Sequence, residues 1–334
     1  MKAVLLKGFG GPEVLEIGET DKPSPSDDQV AIRVAATSVN RPDIVQRQGR
    51  YPAPKGESEV LGLEVAGVVD QVGAKVTGWR PGDRVMSLVA GGGYAEYALA
   101  YADHLLSIPD GMSFHEAACV CETYITAHLN VFMLGGLKDG GSVLLHGGGG
   151  GVNTAAIQLC KALTPKARVI VTASPKKIER VQQLGADLVI DYTEQDFAEA
   201  VKADTNGSGV NVILDHIGGR YLAQNMKALA VGGTLVIIGV MGGPKADLNL
   251  AMMMVKRQHI IGSVLRSRPV GKKAAIVKQF AREVVPCLAD RSVVPLIHAV
   301  YPLDQVSEAH RLMEEGGHFG KIVVSVDEGL SVTA

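Results

Sequence analysis

The chain is short of aromatic rings, of cysteine, of long apolar runs and of any surplus of one charge. Phe, Trp and Tyr make up 4% of 334 residues, which leaves no series of rings on which successive bases could stack. Lys and Arg number 33 and Asp and Glu 35, a formal net charge of −2. No global field therefore draws polyphosphate or an anionic membrane, and nucleic acid is a poor partner. The four cysteines, Cys119, Cys121, Cys160 and Cys287, form neither a C-x-x-C pair nor a dense framework. A chain of this length does not need disulfides, and the usage fits a reducing compartment. No stretch approaches 18 uninterrupted apolar residues, and the apolar run inside Met1–Gly8 is too short for a signal-peptide core. A soluble, cytoplasmic protein is expected.

What the chain has in excess is glycine: 40 residues, about 12% against a usual value of about 7%. Apolar residues still make up 46%, a share that a disordered glycine-rich chain would lose, so the glycines belong to folded structure. Length alone gives a prior of about two domains.

From Met1 to about Glu122 the pattern is short β-like runs cut by turns: Ala3–Leu6, Gln29–Val39, Val65–Val72, Arg84–Leu88 and Tyr94–Leu99. This spacing predicts an all-β module. From Gly141 the rhythm changes to aliphatic strands alternating with amphipathic helices. Ser142–His146, Arg168–Thr172, Val210–Asp215, Thr234–Gly239 and Ile260–Leu265 read as strands, and Val152–Leu163 and Pro175–Leu184 as helices. Strands buried on both faces with helical crossovers mean an α/β, doubly wound parallel sheet. The tail holds a helix, Lys272–Leu288, and β-like pieces Val293–Val300 and Lys321–Val326. It is too small for a third domain and is expected to complete the first.

Val143-Leu144-Leu145-His146 runs directly into Gly147-Gly148-Gly149-Gly150-Gly151-Val152, which reads as strand, glycine turn and helix. Glycines suit a backbone that must turn sharply and approach a pyrophosphate, whose charge then meets the amides and positive end of the helix. The residue ending the second strand reports on the cofactor's ribose. Here Thr172-Ala173-Ser174-Pro175-Lys176-Lys177 offers no carboxylate for a 2′-hydroxyl. A hydroxyl and ammonium groups suit a 2′-phosphate, so NADPH is expected rather than NADH; the lesser alternative is that both lysines are solvated charges on the helix surface.

Several motifs together resemble a known family. Leu61-Gly62-Leu63-Glu64-Val65-Ala66-Gly67, Gly82-Asp83-Arg84-Val85, the glycine loop and Gly320-Lys321-Ile322-Val323 resemble the medium-chain dehydrogenase/reductase superfamily. Within it, Ser38-Val39-Asn40-Arg41-Pro42-Asp43, Gln46-Arg47-Gln48-Gly49-Arg50-Tyr51, Leu214-Asp215-His216-Ile217-Gly218-Gly219 and Leu265-Arg266-Ser267-Arg268 resemble the zeta-crystallin-type quinone oxidoreductases, most of all their tumour-suppressor-inducible branch. The resemblance spans essentially the whole chain. It implies a Rossmann domain for NADPH over residues 123–264 and a discontinuous GroES-like catalytic domain over 1–122 and 265–334, with a cleft between them. It also implies a homodimer paired through the strand near Ile260.

The resemblance further implies the site. Asn40 and Tyr51 would face nicotinamide and substrate, and Tyr51, with a reference pKa of about 10, could donate to a developing oxyanion or merely pack on the cofactor. Thr126 would lie beside the nicotinamide, Gly149, Gly150, Gly151 and Val152 at the phosphates, Ser174 and Lys177 at the ribose phosphate, and Tyr192 near the adenosine. Gly219, Ile238, Gly239, Val240, Ser263, Val264 and Leu265 would line the nicotinamide side, and Lys321 belongs to the same group. Zinc alcohol dehydrogenases of the superfamily carry ligands that would fall near Asn40, Leu63 and Glu122. A leucine cannot ligate, so no metal is expected. The feasible acceptors are then already electron-poor: ortho- or para-quinones, or the conjugated alkenes of an enone/2-alkenal reductase. A non-catalytic NADPH-binding protein of crystallin or RNA-regulatory type is the remaining reading.

Other residues read more plainly. Asp43 is expected to be a solvated turn carboxylate, His146 and His216 to be structural, and Met252-Met253-Met254 to pack in a core or between subunits, while a core plug is the alternative for Tyr192. Asn153 stands where the family's loop has its last glycine, and could widen the helix–strand gap or bring an amide to the phosphates.

Overall fold

A computed structural model of the chain describes residues 1–331. These divide into two compact units, residues 1–125 with 265–331, and residues 126–264.

The first unit is built on a seven-stranded sheet. Its main path runs Ile297–Pro302, Lys321–Ser325, Gln29–Val39, Glu64–Val72, Arg84–Leu88, Leu105–Ser107, with Tyr97–Tyr101 also paired to Gln29–Val39. All neighbours are antiparallel except the first pair. The 11-residue strand Gln29–Val39 is the spine: only Arg33 on it is exposed, and its β-branched residues pack on both faces, Val30, Ile32 and Val34 into one core and Val39 into another with Ile44, Leu61 and Tyr94. The expected strand Tyr94–Leu99 lies later, at Tyr97–Tyr101, because Tyr94 is spent as a buried core ring.

Helices interrupt this β module where sequence reading gave none. Asn40 caps the helix Arg41–Arg47, with Pro42 in its first turn and Asp43 closing a capping box. The helix Val306–Glu315 packs His310 inward and ends at Gly316 in the left-handed conformation. The single helix expected over Lys272–Leu288 is two, Val270–Glu283 and Val285–Ala289. Pro286 has no amide to give and its ring blocks the carbonyl one turn back, so the first helix stops before it.

The second unit is a six-stranded parallel sheet in the order Leu188–Asp191, Arg168–Ala173, Ser142–His146, Val210–Asp215, Leu229–Ile237, His259–Gly262. Its central strands carry continuous aliphatics, and Leu144, Ile170, Ile213 and Leu235 are fully buried. This is the Rossmann arrangement, and the first unit is the GroES-like one. The last two strands are displaced from expectation: one begins earlier, at Leu229, and the other ends earlier, at Gly262.

Candidate functional site

The glycine loop of the second unit is a cradle made by backbone. Strand Ser142–His146 turns at Gly147, whose φ of +79° suits only glycine and where a Cβ would meet the His216 ring at 2.8 Å. The amides of Gly147 and Gly148 both donate to Thr172 O, at 3.0 and 2.9 Å. Helix Gly151–Leu163 then starts with Gly150 as its cap and no side chain on its first amides, the configuration that accepts an anion. At Gly149 a Cβ would run into Lys177 Cδ and lie 3.2 Å from its Nζ. The Lys177 stem therefore crosses the loop at a point where only a hydrogen leaves room. Burial, and then the charge of Arg180, push the Lys177 ammonium below its usual range. A cation in that position gains from an anionic neighbour.

The remaining expected cofactor positions of this unit gather at the carboxyl ends of its strands. Ser174 follows Arg168–Ala173, half-buried, while Lys176 is exposed. Tyr192 follows Leu188–Asp191 and is 44% exposed, so it is an open ring and no core plug. The loops after the next two strands are stitched together: Gly219 N donates to Gly243 O at 2.8 Å, Ile238 N to Asp215 O at 2.8 Å and Gly242 N to Ile217 O at 2.7 Å. Asp215 is buried and accepts from the amides of Ile217 and Gly218, and burial raises its carboxyl to about 6. Gly239 and Ser263 lie in the same set of strand ends, with Val240 and Val264 exposed beside them. Thr126 opens the unit, its carbonyl accepting from Asn130 at 2.7 Å.

Two expectations for this unit are sharpened. The Asn153 amide turns away from the phosphate side and donates to His146 O and, at 3.1 Å, to Gly147 O, tying the helix to the end of the strand. Its own Oδ1 is buried without a partner. His146 is fully buried between Thr172 and Asn225, at 3.1 and 2.7 Å, and burial lowers it to about 3, so it is a neutral core residue. Met252 and Met253 pack on the core while Met254 is 72% exposed.

The first unit holds a different kind of site, made from buried side chains. Glu64 is the hub. Its Oε1 accepts from Ser38 Oγ at 2.6 Å, Asn40 Nδ2 at 3.0 Å and Lys321 Nζ at 3.0 Å, and its Oε2 from the amide of Glu122 at 2.9 Å. Lys321 also donates to Asn40 Oδ1. Asn40 is thus engaged at both ends of its amide and only 5% exposed.

Asp43 is not a solvated turn residue. It is wholly buried, accepting from Asn40 N at 2.8 Å, Gly62 N at 3.2 Å and the Tyr94 hydroxyl at 3.3 Å. Burial raises it to about 6 against these bonds. Beyond Tyr94 the chain of contacts continues. His310, lowered by burial to about 3, is neutral; its Nδ1 faces Arg47 at 3.3 Å, so its Nε2–H donates to the Tyr94 oxygen at 3.0 Å. Arg47 completes its fork on Gly10 O and Glu314. Polar groups buried this way lock helix Arg41–Arg47, and with it Asn40, in one position.

Glu122 and Tyr51 border this cluster. Burial, then the charges of Glu64 and Asp43, push the Glu122 carboxyl up to about 8, so it holds its proton at neutral pH. Burial followed by Glu122 raises Tyr51, with Arg266 opposing. The Arg266 guanidinium lies 5.1 Å from the Tyr51 ring centre. Sequence reading missed Glu64, Arg266, His310 and Arg47 as members of a site, although each lies in or beside a motif. None carries a spacing signal, since their partners are tens to hundreds of residues away. Among the described residues, no three His, Cys, Asp or Glu side chains are grouped to hold a metal ion, and no helix is long and apolar enough to cross a membrane.

A parallel dinucleotide sheet with an uncapped glycine loop and, in the same chain, a GroES-like unit with a buried polar cluster define the two-domain dehydrogenase class. Residues 26–110 match the alcohol dehydrogenase GroES-like domain and residues 184–324 the zinc-binding dehydrogenase family. The quinone oxidoreductase of Lama guanicoe is 34% identical over 97% of both chains. A crystal structure of Escherichia coli quinone oxidoreductase complexed with NADPH has a TM-score of 0.87 at 27% identity, covering 98% of this chain and 100% of the other. A crystal structure described as an NAD-dependent alcohol dehydrogenase has a TM-score of 0.86 at 33% identity, with the same coverage. The chain belongs to the medium-chain dehydrogenase/reductase superfamily and, within it, to the quinone oxidoreductase family.

Proposed function

We propose that the protein is an NADPH-dependent quinone reductase that works without zinc. The observation that carries this reading is the buried cluster of Lys321, Glu64 and Asn40. At the positions where superfamily zinc ligands fall, the Asn40 carbonyl oxygen already serves an ammonium, Leu63 offers no donor and Glu122 favours its proton. Beside them, Glu64 is shared among Ser38, Asn40 and Lys321. That set does not fit a tetrahedral divalent ion, and an acceptor must then be electron-poor from the start. The family relationship to quinone oxidoreductases supports the same acceptor class.

The glycine cradle and Lys177 support NADPH. Bound there, it would supply the hydride. The amides of Gly149, Gly150, Gly151 and Val152 would hold the pyrophosphate, Ser174 and Lys177 the 2′-phosphate, and Tyr192 the adenosine side. Gly219, Ile238, Gly239 and Val240, with Ser263, Val264, Leu265 and Thr126, would border the nicotinamide. In the other unit Tyr51, held protonated, can donate to an oxyanion, while Lys321 and Glu64 fix Asn40.

Quinone-dependent oxidation of NADPH by the purified protein is the first test; inactivity across ortho- and para-quinones would overturn the reading. Comparing kcat/KM for quinones and conjugated enals separates it from an enone reductase using the same residues. We further propose a homodimer. Strand His259–Gly262 pairs with one neighbour among the described strands; Leu250, Met254 and Val255 are each at least 68% exposed, and Leu250 and Met254 line a cavity of about 500 Å³ together with His259. Light scattering checks this. A cytoplasmic location is proposed from the four unpaired cysteines, three of them buried.

A further inference from the structure

Among the described residues of the first unit, Arg266 is the buried cation with a nitrogen left unpartnered. It is 8% exposed, and its Nε donates to Ala90 O at 2.7 Å and its Nη1 to Tyr51 O at 3.4 Å. Nη2 is buried and has no partner. No carboxylate forms an ion pair with it among the described residues; Asp43, Glu122 and Glu57 act on it only at longer range, and burial, raising the Glu122 carboxyl to about 8, holds that one in its neutral form. Guanidinium remains charged throughout the physiological range, and a buried donor left unmatched costs about 1–3 kcal/mol, more when charged. Such a group is normally matched by protein or water, and one left over inside a functional region is a candidate for a ligand atom.

The surroundings indicate what that atom is. Tyr51 presents a flat ring against the guanidinium, which suits a planar molecule. Lys273 adds a second cation nearby, and Glu57 and Asp43 add carboxylates, so the surroundings do not hold the surplus of cations that a permanently anionic ligand would use. A neutral oxygen that gains negative charge during reaction matches better, because the guanidinium attracts it more as the charge develops.

We propose that Arg266 Nη2 is the hydrogen-bond donor to the carbonyl oxygen of the acceptor, a planar quinone or conjugated carbonyl seated against Tyr51. The inference rests on the quinone reductase reading above. Hydride brings two electrons and one hydrogen to the acceptor, the reduced nicotinamide being oxidised in the same step. The carbonyl π pair moves to oxygen, where Arg266 balances it, and solvent water then supplies the proton. Arg266 keeps its own protons throughout.

The test uses the full chain, with 1,4-naphthoquinone and its oxygen-free analogue naphthalene as probes. In the wild type, calorimetry should give naphthoquinone at least tenfold tighter binding than naphthalene. Arg266→Met should lose that preference, lower kcat/KM for the quinone about 100-fold and leave the NADPH dissociation constant within twofold. Arg266→Lys should recover part of kcat/KM. If wild-type protein binds both probes equally, the inference fails whether or not Arg266→Met folds. Turnover of quinone by Arg266→Met within threefold of wild type also overturns it while leaving the reductase reading intact. Naphthoquinone held through Arg266 with no NADPH oxidation would sink the reductase reading and keep the donor. Tighter binding of benzoate than naphthoquinone would make this an anion site and refute the proposal.

Discussion

The two units build their polar sites by opposite means. In the Rossmann unit the loop Gly147–Gly151 offers bare amides, and its shape comes from what glycine omits: a Cβ at Gly149 would displace Lys177. In the GroES-like unit the site is made by adding charge inside the protein, with Lys321, Glu64 and Asn40 buried together and Asp43 joined to Arg47 through Tyr94 and His310. Backbone sites are inexpensive to fold, because an empty cradle at a helix end stays hydrated. Buried charge stands only while every partner is present. Mutation should therefore unfold the second kind of site and merely weaken the first.

Lys321→Met should show this most strongly. It leaves Glu64 charged, fully buried and short of its cation, which costs about 3–5 kcal/mol. Urea denaturation at pH 7 measures it, and adding Glu64→Gln should restore at least half the loss. A cost under about 1 kcal/mol would mean that the cluster behaves as a surface pair and the contrast between the units fails.

Lys177→Met is the matching change in the other unit. It removes a half-buried ammonium beside Gly149 without leaving a buried charge behind. NADPH affinity should fall roughly 10- to 100-fold, the worth of one or two charge-assisted bonds, while NADH affinity and the unfolding midpoint stay nearly constant. Equal losses for the two nucleotides would remove the 2′-phosphate from this site.

This contrast also explains what could be read from the chain. Cradle, parallel strands and strand-end glycines leave local signals, because a turn, a helix start and an aliphatic run are each decided within a few residues; strands Gln29–Val39 and Val210–Asp215 fall where the pattern put them. The charged cluster leaves none. Lys321 meets Asn40 across 281 positions, and Arg47 meets His310 across 263. Asp43 reads as a turn carboxylate for the same reason: the Tyr94 hydroxyl that covers it lies 51 positions away.

Raised carboxyls occur in both units, Asp43 and Asp215 each at about 6, and the larger rise is at Glu122 beside the buried cluster. The Glu122 carboxyl is raised to about 8 in the folded chain, against about 4.3 for a free glutamate. Between those values the folded state binds more protons than the unfolded one, so this group erodes stability as pH rises from about 4 to 8 and no further above that. Asp43, raised to about 6, acts in the same direction over a lower window. Glu122→Gln should therefore stabilise the protein increasingly from pH 5 to pH 8, by about 1–2 kcal/mol at the upper end. The gain stays below the full value of about 1.4 kcal/mol per unit because the side chain is partly open to solvent. Unfolding curves for both proteins at pH 5 and pH 8 give the answer, and a constant difference between them would contradict it.

Asn153→Gly should have the smallest effect, because its terms oppose one another. The substitution removes two amide bonds, to His146 O and Gly147 O, each worth about 0.5–1.5 kcal/mol, but it also removes a buried Oδ1 that has no partner, a relief of about 1–3 kcal/mol. Glycine in the first turn of the helix adds back a cost of about 0.5–1 kcal/mol. The sum lies within about 1 kcal/mol of zero, and since the amide points at the strand carbonyls, the NADPH dissociation constant should move less than threefold. Asn153→Asp is the sensitive control. Its shape is the same, but it sets an anion against two carbonyl oxygens and should be clearly less stable than either. If the glycine variant instead bound NADPH ten times more tightly, the asparagine would be obstructing the cradle, and the loop would owe its shape to a side chain after all.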